Sequence, residues 1–220
     1  MIEVEDINDI RLSTKEAWDK EFRRQLDYTK GMIERKGSTS PHTWILLQKN
    51  PMTGETFDYP QNFIAVTEFD GRESKDRYFT LMRAIAYLGD AIASVFCTEA
   101  WGAPSAGVAP SQHPDRHEMV ILMGTHRAFG DAGAVALIHT AGIPDDDTSP
   151  RTVDEWRTYD PSAHSYQSGV GKVVFTDEEL ATMDLDDTFE QACRTYVEMN
   201  QQNLQFIDRS DRIETPKATV

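Results

Sequence analysis

Between Ser13 and Lys36, Trp18, Phe22, Leu26, Thr29 and Ile33 recur every three or four positions, and the opposite positions are rich in Lys and Arg. That spacing predicts an amphipathic helix over 13–36. Ser13 and Glu16 stand at capping-box distance, and Gly37 is a natural stop. The period then shortens. His42–Gln48 (HTWILLQ) and Asn62–Phe69 (NFIAVTEF) read as strands of a hairpin with a long connection, marked by Asn50-Pro51 and Gly54. A second helical stripe follows over 75–91: Phe79, Met82, Ile85, Leu88 and Ile92, with Gly89-Asp90 at its end. Three further strands, 93–101, 117–124 and 133–140, are spaced for an antiparallel meander. Residues 141–172 lose periodicity, carry two Pro-marked turns, and read as an irregular surface excursion closed by a short strand at Lys172–Phe175. Thr176 and Glu179 make another capping box. After a break near Asp184, Leu185, Phe189, Ala192, Tyr196, Met199 and Asn203 are expected on the inward face of a last helix.

The expected fold is α+β: a five-stranded, mainly antiparallel sheet with flanking helices, in the order α-β-β-α-β-β-β-α. The chain divides into an N-terminal arm (1–12), a core (13–140), the excursion (141–175), a C-terminal helical region packing on the core (176–208) and a tail (209–220). This element order resembles the profilin-like arrangement of roadblock and longin domains. The resemblance implies a scaffolding or docking module, on fold analogy alone.

Charge changes the picture more than composition does. The chain is 39% hydrophobic and 27% charged, as globular domains are. Its net charge is −15, and residues 141–220 hold seventeen acids against seven bases. An acidic surface repels phosphate backbones, so nucleic-acid binding is not expected; the excess acid reads first as solubility, and the sharper readings are a basic protein partner or a nucleic-acid mimic. No apolar run approaches the roughly 18 residues of a membrane span. MIEVEDINDIRL lacks the basic start and apolar core of a secretion signal, so a cytoplasmic location is expected. Cys97 and Cys193 are too few for a structural zinc site and read as packing residues. No cofactor is expected, and a homo-oligomer remains open.

The densest chemistry lies in 92–127. His113, Asp115 and His117 form H-x-D-x-H, whose alternate residues would share one face of an extended strand and converge on a metal. Glu99 or Glu118 would then serve as general base or ligand-orienting group. Against this, Pro114 interrupts a regular ladder, and His-Pro-Asp is a turn starter. The simpler expectation is structural ion pairing among Glu99, Arg116, Glu118 and Arg127. Glu99 shares a strand face with Cys97 and Trp101, where a carboxylate needs a cationic partner. His126 and His139 flank the last hairpin with no assigned role.

Other motifs fail on context. Asp184-Leu185-Asp186-Asp187-Thr188 spells D-x-D-x-T of haloacid-dehalogenase-type phosphotransferases and D-x-D-D of terpene cyclases, but it opens a helix near the end of the chain. Gly169–Lys172 is no phosphate loop, Asp145–Asp147 is no calcium loop, and Ser105, Ser111 and Ser168 lack a nucleophile elbow.

Glu99-Ala100-Trp101 followed by HPDRHEMVIL (113–122) resembles a block found in proteins of bacteria and their phages that have no assigned activity. The resemblance implies a microbial or phage origin and brings no substrate or cofactor. The expectation is therefore a non-enzymatic interaction module. The alternative is a metal-dependent hydrolase using His113, Asp115 and His117.

Overall fold

The computed structural model describes residues 12–103, 112–141, 150–159, 172–183 and 185–200. Within them the order is α1 (Lys15–Lys36), β1 (His42–Lys49), β2 (Thr56–Val66), α2 (Arg72–Leu88), β3 (Ala93–Gly102), β4 (His117–His126), β5 (Gly130–Thr140), β6 (Arg151–Val153), β7 (Arg157–Tyr159), α3 (Asp177–Thr182) and α4 (Asp187–Asn200). The class is α+β as expected, but the sheet has seven strands instead of five, and the helices number four. The strand order is β2-β1-β3-β4-β5-β6, with β7 also on β5, and all the pairings are antiparallel.

The differences have local causes. β2 begins at Thr56, well before the expected Asn62. It is an edge strand, so Pro60 removes no ladder bond and the outward residues stay polar. β6 and β7 arise inside the stretch read as irregular. Each has three residues, too few to show a period. Lys172–Phe175 is not a strand. Val173 and Val174 are both buried in the α2-side cluster without pairing to any described strand of the sheet. The N-cap of α1 is Thr14, one residue later than expected: its hydroxyl accepts from the Ala17 N–H at 3.1 Å. At the other end Gly37 adopts φ 81°, a left-handed conformation suited to glycine, and its N–H reaches the Ile33 carbonyl at 2.8 Å.

The sheet is clad on both faces. Trp18, Phe22, Leu26 and Ile33 of α1 pack on Trp44, Leu46, Val95, Cys97, Val120, Leu122, Ala134 and Ala136. Phe79, Met82 and Ile85 of α2 pack on Ile45, Leu47, Phe63, Ala65, Phe96 and Met123. The apolar run in β1 follows from this, since residues 44–47 bury alternately on the two sides. Gly124 permits the close seat of α1. A Cβ there would lie 2.9 Å from ring atoms of both Trp18 and Phe22.

The C-terminal region packs on α2. The Tyr87 and Phe189 rings meet edge-on at 5.0 Å, and Val197 is fully buried. The inward face of α4 runs through Phe189, Cys193, Tyr196 and Val197. Ala192 and Met199, expected inside, are exposed. Thr176 and Glu179 form the capping box read from the sequence. Leu12, assigned to the arm, is a core residue. Among the described residues no helix is long and apolar enough to cross a membrane.

β6 and β7 are two halves of one edge strand. Ile138 pairs with Val153 and Thr140 with Arg151, whereas Val135 pairs with Arg157 and Gly133 with Tyr159. The register slips by one residue across Asp154–Trp156, which is a β-bulge. The slip sets Val153 and Trp156 on the same side, and both pack against the α1 cluster. Tyr159 lies on the other side, its ring over Gly133 where any Cβ would collide.

Candidate functional site

The polar corner of the molecule is built by four segments. β3 presents Glu99, β4 presents Glu118, and the antiparallel register sets Trp101 opposite Glu118 and Glu99 opposite Val120. Side chains two apart on a strand share a face, so both carboxylates project on the α1 side beyond Cys97 and Val120. β6 supplies Arg151, and the turn after α1 supplies backbone groups.

Arg151 is the hub. Its side chain is 12% exposed, against 19% for Glu99 and 26% for Glu118. Nη2 donates to Glu99 Oε2 at 3.0 Å and also pairs with Glu118 Oε1, while Nη1 donates to the Gly37 carbonyl. The second oxygen of Glu99 accepts from the Thr39 N–H at 2.5 Å. Two residues further along β6, the Val153 N–H donates to Glu34 of α1 at 3.4 Å. The corner thus ties the α1–β1 turn, β3, β4 and β6 together by charge-assisted bonds.

Arg151 was missed in the sequence because it sits in a segment without periodicity. The Arg-Thr-Val alternation after Pro150 was the one available signal. The cations expected from the sequence make other contacts as well. Arg116 stacks on the Trp101 ring at 4.4 Å, and Arg127 pairs with Asp90 at 2.7 Å at the far end of β4.

His113, Asp115 and His117 do not form a ligand set. Residues 113–116 close a turn in which the Arg116 N–H donates to the His113 carbonyl at 3.2 Å. The Asp115 N–H donates to His113 Nδ1 at 3.1 Å, so one ring nitrogen is occupied inside the turn. His117 opens β4 and is exposed. Among the described residues no three His, Cys, Asp or Glu side chains come together in a way that could hold a metal ion.

The remaining titratable candidates serve packing. Cys97 is fully buried, and burial pushes its thiol up to about 12 although Thr29 donates to the sulfur at 3.7 Å. A thiol held protonated is no nucleophile. His126 Nε2 donates to the Leu12 carbonyl at 2.8 Å, Nδ1 accepts from the Ala128 N–H at 3.1 Å, and the ring stacks on Phe129 at 4.4 Å. Burial lowers its pKa below the ordinary value. His139 contacts Asp154 at 3.0 Å on the surface. Ser105, Ser111, Asp145–Asp147, Ser168, Gly169–Gly171 and Asp184 lie outside the described residues.

Comparison with protein-family models, curated proteins and solved structures finds no match to this chain.

Proposed function

We propose that this chain is a non-enzymatic, acidic protein-docking module of the cytoplasm, from a microbe or its phage. The observation that carries the reading is the engagement of both Glu99 oxygens, one by Arg151 and one by the Thr39 backbone. The two carboxylates best placed for acid–base chemistry share Arg151, and Glu99 also accepts from the Thr39 backbone. Catalytic carboxylates need an oxygen free to exchange a proton with substrate. Here Glu99 commits both oxygens, and Glu118 one, to holding segments together.

Charge supports the same reading. The field of a chain at −15 steers basic partners, and the edge strand β6–β7 lies within the acidic region 141–220. The cytoplasmic placement rests on the two free cysteines, one buried and one half-buried. The origin rests on the resemblance of residues 99–101 and 113–122 to the bacterial and phage block.

The test is affinity capture from the native host, with the wild-type chain and with Asp154→Lys/Glu155→Lys as baits. A stoichiometric protein lost from the charge-reversed bait supports docking. Turnover of a hydrolysable substrate that disappears in Glu99→Gln would falsify the reading, as would a stoichiometric metal lost in His113→Ala.

A further inference from the structure

At the β5 end of the sheet, an open groove of about 540 Å³ runs along the bulged edge. Met119, Val135 and Leu137 form its floor, on the face turned away from α1. They are half-buried and lie outside the core cluster beneath α2 and α4. Arg157 stands at the edge on the same face as Val135, Trp156 turns its ring to the α1 side, and exposed Glu155 and Asp154, the latter in contact with His139, complete the rim.

From these features we infer that the groove seats a basic peptide segment of a partner protein, anchored by an apolar side chain. The inference rests on the docking reading and names its surface and partner chemistry. The volume falls in the range of roughly 300–1,000 Å³ typical of ligand sites. The floor offers apolar contact, and Arg157 beside it is of a residue type enriched at binding hot spots.

Charge selects the occupant. The rim carries Glu155 and Asp154 beside Arg157 and His139, which contacts Asp154 at 3.0 Å, and the whole chain carries −15. A cationic segment is drawn in. A second copy would bring the same −15 against it, and a phosphate-bearing ligand would be repelled. The bulge at Asp154–Trp156 breaks the run of outward backbone groups, so the partner is read by side chains and not by strand addition.

The experiment uses a fluorescein-labelled peptide of alternating lysine and leucine, its glutamate–leucine counterpart, and the full chain. Anisotropy is expected to show the lysine peptide binding roughly tenfold tighter at physiological salt. Amide shifts in the wild-type chain should concentrate on Met119, Val135, Leu137 and residues 154–157. Glu155→Lys, an exposed substitution, should weaken binding roughly threefold without moving Tm. Leu137→Ser should weaken it further. Equal affinity for the two peptides, or shifts centred elsewhere, would overturn the groove. Self-association that shifts the groove amides would also overturn it. Shifts centred on Trp101 and Arg116 would sink the groove and leave docking standing. Glu99-dependent turnover would sink the docking reading whatever the groove binds.

Discussion

The two faces of the sheet solve the same problem to different degrees. On one face the 22-residue α1 covers β1 and β3–β5. That face is pinned at one end by Arg151 on Glu99 and Glu118, and at the other by His126 on Leu12. On the opposite face, α2 packs over β1–β3, where Phe79 meets Phe96 at 4.9 Å, and α4 packs on α2. Toward β5 the apolar residues of that face are only half-buried. The two faces carry similar residue types, yet among the described residues the face under α1 is covered across β1 and β3–β5 and the other is left half-covered toward β5. Apolar residues under a helix hold the fold, while those left beside an edge are available to something else.

The sharpest break comes from the sealed face. Trp18→Ala deletes a fully buried indole beside Phe22 and Gly124, and should cost about 3–5 kcal/mol in urea unfolding. Removing the corner cation should cost less. Arg151→Met leaves Glu99 and Glu118 facing each other without their shared partner, at about 2 kcal/mol given their partial exposure. Adding Glu118→Gln should recover part of that loss, and a double-mutant cycle measures how much. On the open face, Leu137→Ser should cost under about 1 kcal/mol, because half-buried apolar area contributes less than sealed area. A cost as large as that of Trp18→Ala would erase the contrast between the faces.

The smallest effect is a pH slope. Burial holds His126 below its ordinary pKa, so the unfolded chain takes up a proton that the folded chain resists. The contribution is fully present above about pH 6.5 and declines as pH falls from there toward the folded value. The urea midpoint of the wild-type chain should therefore fall more between about pH 7 and 5 than that of His126→Asn. Parallel slopes would remove His126 as a pin of the α1 face.

How far the sequence could be read tracks how long each element repeats itself. The stripe from Trp18 to Ile33 and the run Trp44–Leu47 were legible because period and burial agree over many residues. β2 was half-hidden because an edge strand needs only its inner positions apolar, and Asp58, Pro60 and Gln61 look like loop. The face of α4 was displaced because Cys193 and Val197 turn inward where Ala192 and Met199 were expected to. At the site, Glu99 and Glu118 were found as carboxylates requiring a cation, but the nearer arginines in sequence were chosen. Arg151 lies 52 residues beyond Glu99, a distance that only the folded sheet closes.

The single extra residue in the last strand also bears on how the protein survives at high concentration. A straight outer strand would offer a regular row of amide and carbonyl groups to any neighbour. This rim is kinked after three residues and carries acidic side chains at the kink. Copies meeting there find neither matching spacing nor matching charge, so the border least protected by helices is poorly suited to seeding fibrils.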